Sequence, residues 1–395
     1  MNKKQKHIIC IFEAIDRIGE LIVLIWRARN IFNDDNNKFT FIFPPLYKKP
    51  RTNKACFNIV TRGSNIIHTT NEDLLRSQLS KGKLLYSVLD KNDVYVCSGS
   101  AFLQKVFVRK YHNKKEKVSF SLSDLEIEYG KQIQKKFGIP KNAPLVTLHV
   151  RESGYLKYYH YHNFRDANIE NYIPAIQYLI DNGFYVVRLG DKSMKKIVNA
   201  PPQLIDAPFH PEYTSIVDPY FVSQSKFFLC FESGPSVLAW ILDIPLLRTN
   251  VPILSTYRGV NKELVIFKKY FSKKQKRFLS LKEVLSSPAI NYYRTEEYEK
   301  SDFELVENTP EEILASTKEI LARLDGHYTI NHKIDEKVNE IFKQTYKDRQ
   351  QDDFLSFISP HDTFDRSYLP DPSIFYTNSK VSAEYIKLNP HFLAI

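Results

Sequence analysis

Residues 145–150, "LVTLHV", form a continuous run of strand-favouring residues without a polar alternation. A run of this kind fits a strand covered on both faces, which points to a parallel sheet flanked by helices. The next residues agree. After a polar loop, Ile169, Tyr172, Ile173, Ile176, Leu179 and Ile180 recur at helical spacing, and "DNG" stops the helix with Gly183 at the C′ position. "FYVVRLG" (184–190) is the following strand. The theme returns with "KFFLCF" (226–231), the turn "ESGPS" (232–236), the helix "VLAWIL" (237–242) and "IPLLRT" (244–249). Two such β–loop–α–β units predict an α/β fold whose ligand loops gather at the carboxyl ends of parallel strands.

The chain has 395 residues, enough for two domains with separate cores. "HIICIF" (7–12) reads as a strand and 18–31 as an amphipathic helix, with "DRIG" between them, an opening that suits a second Rossmann-like half. "FTFIF" (39–43), "CFNIVTR" (56–62), "KLLYSVL" (83–89) and "DVYVCSG" (93–99) are compatible with further βα units. Residues 114–144 hold a helix and then a linker with Pro and Asn, so the domain boundary is placed there. The expected division is an N-terminal acceptor domain over 1–140, a donor domain over 141–328 and a helical tail over 329–395 that packs back on the body. "PEEILASTKEILARLD" (310–325) is a capped amphipathic helix closing the second domain, and "SAEYIKLNPHFL" near the end is a short docking helix.

Lys plus Arg number 56 against 45 Asp plus Glu, a net charge of +11. That excess suits an anionic partner such as a nucleotide sugar or an anionic membrane face. A solvated lysine surface accounts for "NKKEK" and "SKKQKR", and no stripe or nucleic-acid motif accompanies the charge, so nucleic acid is not an expected partner. Cys10, Cys56, Cys97 and Cys230 lie far apart without metal-ligand spacing, which reads as buried thiols in a reducing compartment. The apolar N-terminal stretch is interrupted by Glu13, Asp16, Arg17 and Glu20, so neither a signal nor a span is expected there. The expected location is cytoplasmic, with peripheral contact at the anionic inner membrane.

The loop after "LVTLHV" carries the chemistry. Arg151 leaves the strand on the same side as His149, because alternate residues share a face. An arginine there can fork onto a phosphate. The bland alternatives are a satisfied core histidine at 149 and an ion pair between Arg151 and Glu152. In the second unit, "FESGPS" offers small residues, main-chain N–H groups and the hydroxyls of Ser233 and Ser236 at a helix start. Pro235 suits the first turn. "VVRLGD" (186–191) supplies a third strand end, with Arg188 facing either the pocket or a neighbouring helix. Together these loops outline a diphosphate pocket. His149, His160 and His162 lack Cys or carboxylate partners at ligand spacing, so no metal is expected. GxGxxG, Walker A, HExxH and GxSxG motifs are absent.

"HVRESGY" followed by "HNFRDANIENYIPAIQYLIDNGFYVVRLGD" resembles the signature of a family of bacterial glycosyltransferases from surface-polysaccharide gene clusters, which reads HVRDSGY and then HNYRD. "DRIGELI", "FESG", "FELVENTPEEI" (303–313) and "YIKLNPHFL" resemble further stretches of that family, so the likeness spans nearly the whole chain. The resemblance implies a GT-B-like architecture of two Rossmann-like domains facing a cleft, with the nucleotide-sugar donor in the C-terminal one and no cofactor or metal. The HxR element is also similar to that of fucosyltransferase-type enzymes, where the arginine contacts the donor diphosphate. Carried over, Arg151 neutralises the leaving diphosphate and His149 supports it. Glu152 and Asp166 are the motif's candidate bases, with Glu13, Asp16 and Glu20 as others. Ser153, Tyr155, His162, Asn163, Arg165, Arg188, Gly190, Glu232, Ser233, Gly234 and Ser236 are the implied donor or substrate contacts, joined by Arg17 and Gly19 from the N-terminal turn. Glu152 stands where the family usually has Asp, and Pro235 where a larger residue is common. The implied activity is transfer of a sugar from a nucleotide-sugar donor to a glycan or lipid-linked acceptor in lipopolysaccharide or capsule assembly. The rival is a non-catalytic nucleotide-sugar or glycan-binding protein on the same fold.

Overall fold

A computed structural model of the chain describes residues 6–12, 18–32, 37–45, 53–71, 75, 87–89, 94–98, 118–152, 154, 160–231, 233–253, 260, 262–349 and 379–394. These fall into two compact units. The first runs to Ser121 and takes up Arg349; the second runs from Leu122 to Asp348 and takes up 379–394.

The first unit contains β1 (His7–Ile11), α1 (Ile18–Ile31), β2 (Lys38–Phe43), α2 (Lys54–Thr61), β3 (Asn65–His68), β4 (Ser87–Leu89) and β5 (Val94–Ser98). Its sheet has the order β3-β2-β1-β5-β4, parallel throughout except for the pairing of β4 with β5. Residues 56–61 are helical rather than extended, because Asn53 caps the helix by accepting from the main-chain N–H groups of Ala55 and Cys56. α1 buries Leu21, Ile22, Ile25, Trp26 and Ala28, and the indole of Trp26 donates to the Val118 carbonyl at 2.8 Å.

The second unit opens with α3 (Asp124–Lys136), started by a capping box between Ser123 and Glu126. α3 belongs to this unit: Tyr220 donates to Gln134 at 2.7 Å, and a Cβ at Gly130 would strike the Tyr220 ring. The boundary therefore precedes the helix placed in 114–144. Then come β6 (Leu145–His149), α4 (Ile173–Asp181), β7 (Tyr185–Arg188), β8 (Leu204–Asp206), α5 (Val217–Gln224), β9 (Phe228–Phe231), α6 (Val237–Ile241), β10 (Leu246–Val251) and β11 (Glu263–Phe267). A three-stranded antiparallel ribbon follows, made of β12 (Lys269–Ser272), β13 (Arg277–Phe278) and β14 (Phe303–Val306), with α7 (Leu281–Ser286) and α8 (Thr295–Glu299) inserted. α9 (Pro310–Leu324), α10 (His332–Arg349), β15 (Lys380–Val381) and α11 (Ala383–Leu388) complete it.

All seven strands of the main sheet are parallel, in the order β15-β11-β10-β9-β6-β7-β8. The chain steps outward from β6 through β7 to β8, then returns to the other side of β6 for β9. Apart from β15 this is the strand order of dinucleotide-binding sheets, whose switch point lies between the first and fourth strands. β6 and β9 are buried along their whole length, as a strand between two helical layers must be. The tail contributes a strand as well as a helix: Lys380 and Val381 pair with β11, and the Ser382 hydroxyl donates to Glu319 at 2.6 Å. Among the described residues no helix is long and apolar enough to cross a membrane.

Candidate functional site

The β6/β9 switch point places the "HVR" element and the "SGPS" turn on adjacent strand ends, with His149 in register with Cys230. Ligands of open parallel sheets bind in the crevice outside the carboxyl ends at this position.

His149 is buried, and its Nδ1 meets the carbonyl of Leu189 at 3.0 Å. A carbonyl only accepts, so Nδ1 carries the hydrogen and Nε2 holds the lone pair. Burial, with Arg188 and Arg151 nearby, pushes this imidazole down to about 4, so it is neutral near pH 7. The ring ties the ends of β6 and β7 together. Gly190 beside it leaves room for Met194, since a Cβ there would lie 2.0 Å from the Met194 sulfur, and its φ is +144°.

Arg151 pairs with Asp166, not with its neighbour Glu152. Its Nε donates to Oδ1 at 3.0 Å, and the two side chains are 18% and 21% exposed. The main chain reinforces the link: Ala167 N–H donates to the Arg151 carbonyl at 3.0 Å, and Asp166 N–H to that of Asn163 at 2.8 Å. Burial raises the Asp166 carboxyl and Arg151 opposes that rise. The "HNFRD" segment is a 3-10 turn over His160–Arg165. Thr295 at the start of α8 pins it, receiving from Phe164 N–H at 3.1 Å and donating to the His160 carbonyl at 2.9 Å. His162 is buried among Tyr161, Phe164 and Tyr293, and the Arg165 guanidinium lies 5.8 Å from the Phe164 ring centre. Asn163 is half-buried on the same turn.

Glu152 and Arg188 are engaged with each other. Arg188 is fully buried and reaches no ligand surface. Its guanidinium binds Asp206 at 3.2 Å, the Lys195 carbonyl at 2.7 Å and Glu152 at 3.0 Å. Glu152 accepts a second bond from Lys195 N–H at 2.7 Å. The two side chains thus form a buried brace beneath β7 and β8.

The serine turn also differs from expectation. Gly234–Ser236 is a 3-10 turn and α6 is five residues long, too short for a sizeable dipole. The Ser236 hydroxyl is buried and donates to the Ser233 carbonyl at 2.7 Å. Ser233 makes no side-chain cap, and among the described residues its buried Oγ has no hydrogen-bond partner. Arg17, Ser153, Tyr155 and Glu232 lie outside the described residues, and Gly19 sits in the first turn of α1 in the first unit. Among the described residues no three His, Cys, Asp or Glu side chains converge as metal ligands.

Sequence reading missed Lys268, the residue after β11. Its ammonium donates to the Asp166 carbonyl at 2.6 Å and lies 6.0 Å from the centre of the Phe231 ring at the end of β9. A lysine in "VIFKKYF" carries no local signal, because which of two neighbouring lysines turns to the strand ends depends on tertiary packing.

No family model matches this chain, and no curated protein matches it. Solved structures that superpose on it include glycosyltransferases. The family 9 glycosyl transferase from Veillonella parvula has a TM-score of 0.44 at 10% identity, over 68% of this chain and 87% of that one. The E. coli ADP-heptose lipopolysaccharide heptosyltransferase II gives 0.36 at 16%, over 66% and 90%. E. coli WaaC with ADP-2-deoxy-2-fluoro heptose gives 0.36 at 11%, over 66% and 92%. At this degree of superposition no activity passes from those proteins to this chain, and the site is read from its own residues. The two E. coli proteins are heptosyltransferases, a different group from the fucosyltransferase-type enzymes that the His149–Arg151 element resembles.

Proposed function

We propose that the chain is a glycosyltransferase that moves a sugar from a nucleotide-sugar donor to a glycan or lipid-linked acceptor of surface polysaccharide. The donor binds at the carboxyl edge of the seven-stranded sheet. The observation that carries this reading is Arg151, an arginine braced by a carboxylate at the β6/β9 switch point. When the bond from the anomeric carbon to the diphosphate breaks, negative charge collects on the leaving phosphate. A fixed guanidinium at that position stabilises it without reorganising at the moment of reaction. Asp166 orients Arg151, and neutral His149 holds the strand ends in register. The acceptor hydroxyl gives up its proton as the sugar is transferred. With the guanidinium compensating the leaving group, the transfer proceeds without a metal, in a GT-B-like pair of Rossmann-like domains acting at the cytoplasmic side of the inner membrane.

A thermal-shift screen of GDP-, UDP-, CDP-, TDP- and ADP-linked sugars, followed by a hydrolysis or transfer assay on each stabilising compound, tests this. Stabilisation by one nucleotide class with measurable sugar release supports it. Stabilisation without turnover against any acceptor indicates a binding protein, and no stabilisation by any of them contradicts the reading.

A further inference from the structure

Two consecutive lysines leave β11, and both are buried, yet they are neutralised differently. Lys269 Nζ meets Glu312 Oε1 at 2.6 Å, and the same carboxylate receives Asn389 at 2.8 Å and Asn308 at 3.2 Å. Lys268 is 4% exposed. Among the described residues its ammonium makes one hydrogen bond, to the Asp166 carbonyl, and has no carboxylate at ion-pairing distance. The charged groups facing it are Arg151 and Asp166 from the strand-end loop and Glu307 from the segment between β14 and α9. The Glu307 carboxylate is already engaged by Asn168 N–H at 2.8 Å and Asn171 Nδ2 at 3.3 Å. An ammonium withdrawn from water without a counter-ion is costly. Such a group persists where a ligand supplies the missing charge, and functional sites are where such groups concentrate.

We propose that Lys268 is the second cation of the donor site, and that the diphosphate of a nucleotide sugar is its counter-ion. The inference rests on the glycosyltransferase reading. Arg151 forks onto one phosphate, and Lys268 acts as a compact point charge on the other from the β9–β11 side. Burial lowers Lys268 to about 8, against the pull of Glu307 and Asp166. The empty site therefore releases this proton as pH rises through about 8, whereas a bound anion requires it. Diphosphate affinity should fall about tenfold per pH unit above that point.

Calorimetric titration of the 395-residue chain with inorganic pyrophosphate and with GDP, UDP, CDP, TDP and ADP, between about pH 7.5 and 9.5, tests the inference. For the ligand that binds, Lys268→Met should weaken affinity about ten- to a hundredfold and flatten the pH profile, as expected for losing a charged hydrogen bond. Lys268→Met without ligand should melt no lower than wild type, since an uncompensated charge is removed. Lys269→Met should melt lower, because Glu312 is left buried and unpaired. Unchanged affinity and pH profile in Lys268→Met make Lys268 a strut for the Asp166 carbonyl, which overturns the inference and leaves the role of Arg151 standing. A flat wild-type profile overturns it even if the variant fails to fold. If wild type binds none of the probes, the glycosyltransferase reading falls with it.

Discussion

Arg151 and Asp166 meet across the mouth of the β6 loop, Nε to Oδ1 at 3.0 Å, so the guanidinium is aimed by a carboxylate from the "HNFRD" turn. Asp166→Asn should leave the fold intact and reduce sugar transfer about tenfold, because Arg151 loses its charged brace but keeps its own charge. A rise in KM for the donor that exceeds the fall in kcat would show a positioning role. A loss as large as that from removing Arg151 would instead make Asp166 a base.

Arg188 holds Glu152 and Asp206 together with its guanidinium fully buried. Removing the cation leaves two carboxylates uncompensated. Arg188→Met should therefore cost about 3–5 kcal/mol in urea unfolding. Glu152→Gln should cost less, and donor affinity should change little.

His149 gives the protein an acid-side instability. Its unfolded pKa is near the ordinary 6.5 and its folded value about 4, so above pH 6.5 both states are neutral and contribute no slope. Between about 6.5 and 4 the unfolded chain takes up a proton that the folded one refuses. Stability attributable to this group should fall by up to about 1.4 kcal/mol per pH unit over that interval. Unfolding midpoints of wild type and His149→Asn across pH 7.5 to 4.5 check this; equal slopes would contradict it.

Gly190→Ala places a Cβ 2.0 Å from the Met194 sulfur at a φ of +144°, beside the His149 ring. The strain should destabilise the protein by about 1–3 kcal/mol. The displaced β7 end should also weaken donor binding, which thermal shift with the bound nucleotide sugar would read.

The parallel sheet was legible because "LVTLHV", "YVVR" and "FLCF" lack the alternation of a half-exposed strand, and they are buried throughout or nearly so. Gly183 was legible as a helix stop because its φ of +83° suits few other residues. Side-chain partners were not. Arg151 lies next to Glu152 in sequence, but a strand end turns neighbours to opposite sides, and each found a partner on a different loop. The "ENTPEEI" stretch was visible as a helix start, and Thr309 and Glu312 do form its capping box. Its Asn308 proves to be a buried hub, receiving from Asn250 N–H at 2.6 Å and donating to the Phe267 carbonyl at 2.8 Å, long-range bonds that no local pattern encodes.

The central claim is that Arg151 stabilises the departing diphosphate of a sugar donor. The most direct test is the rate of sugar release or transfer from the nucleotide sugar identified by thermal shift, compared between wild type and Arg151→Ala at matched melting temperature. The account predicts a loss of about a hundredfold or more. A variant that folds normally and transfers sugar at the wild-type rate would contradict it.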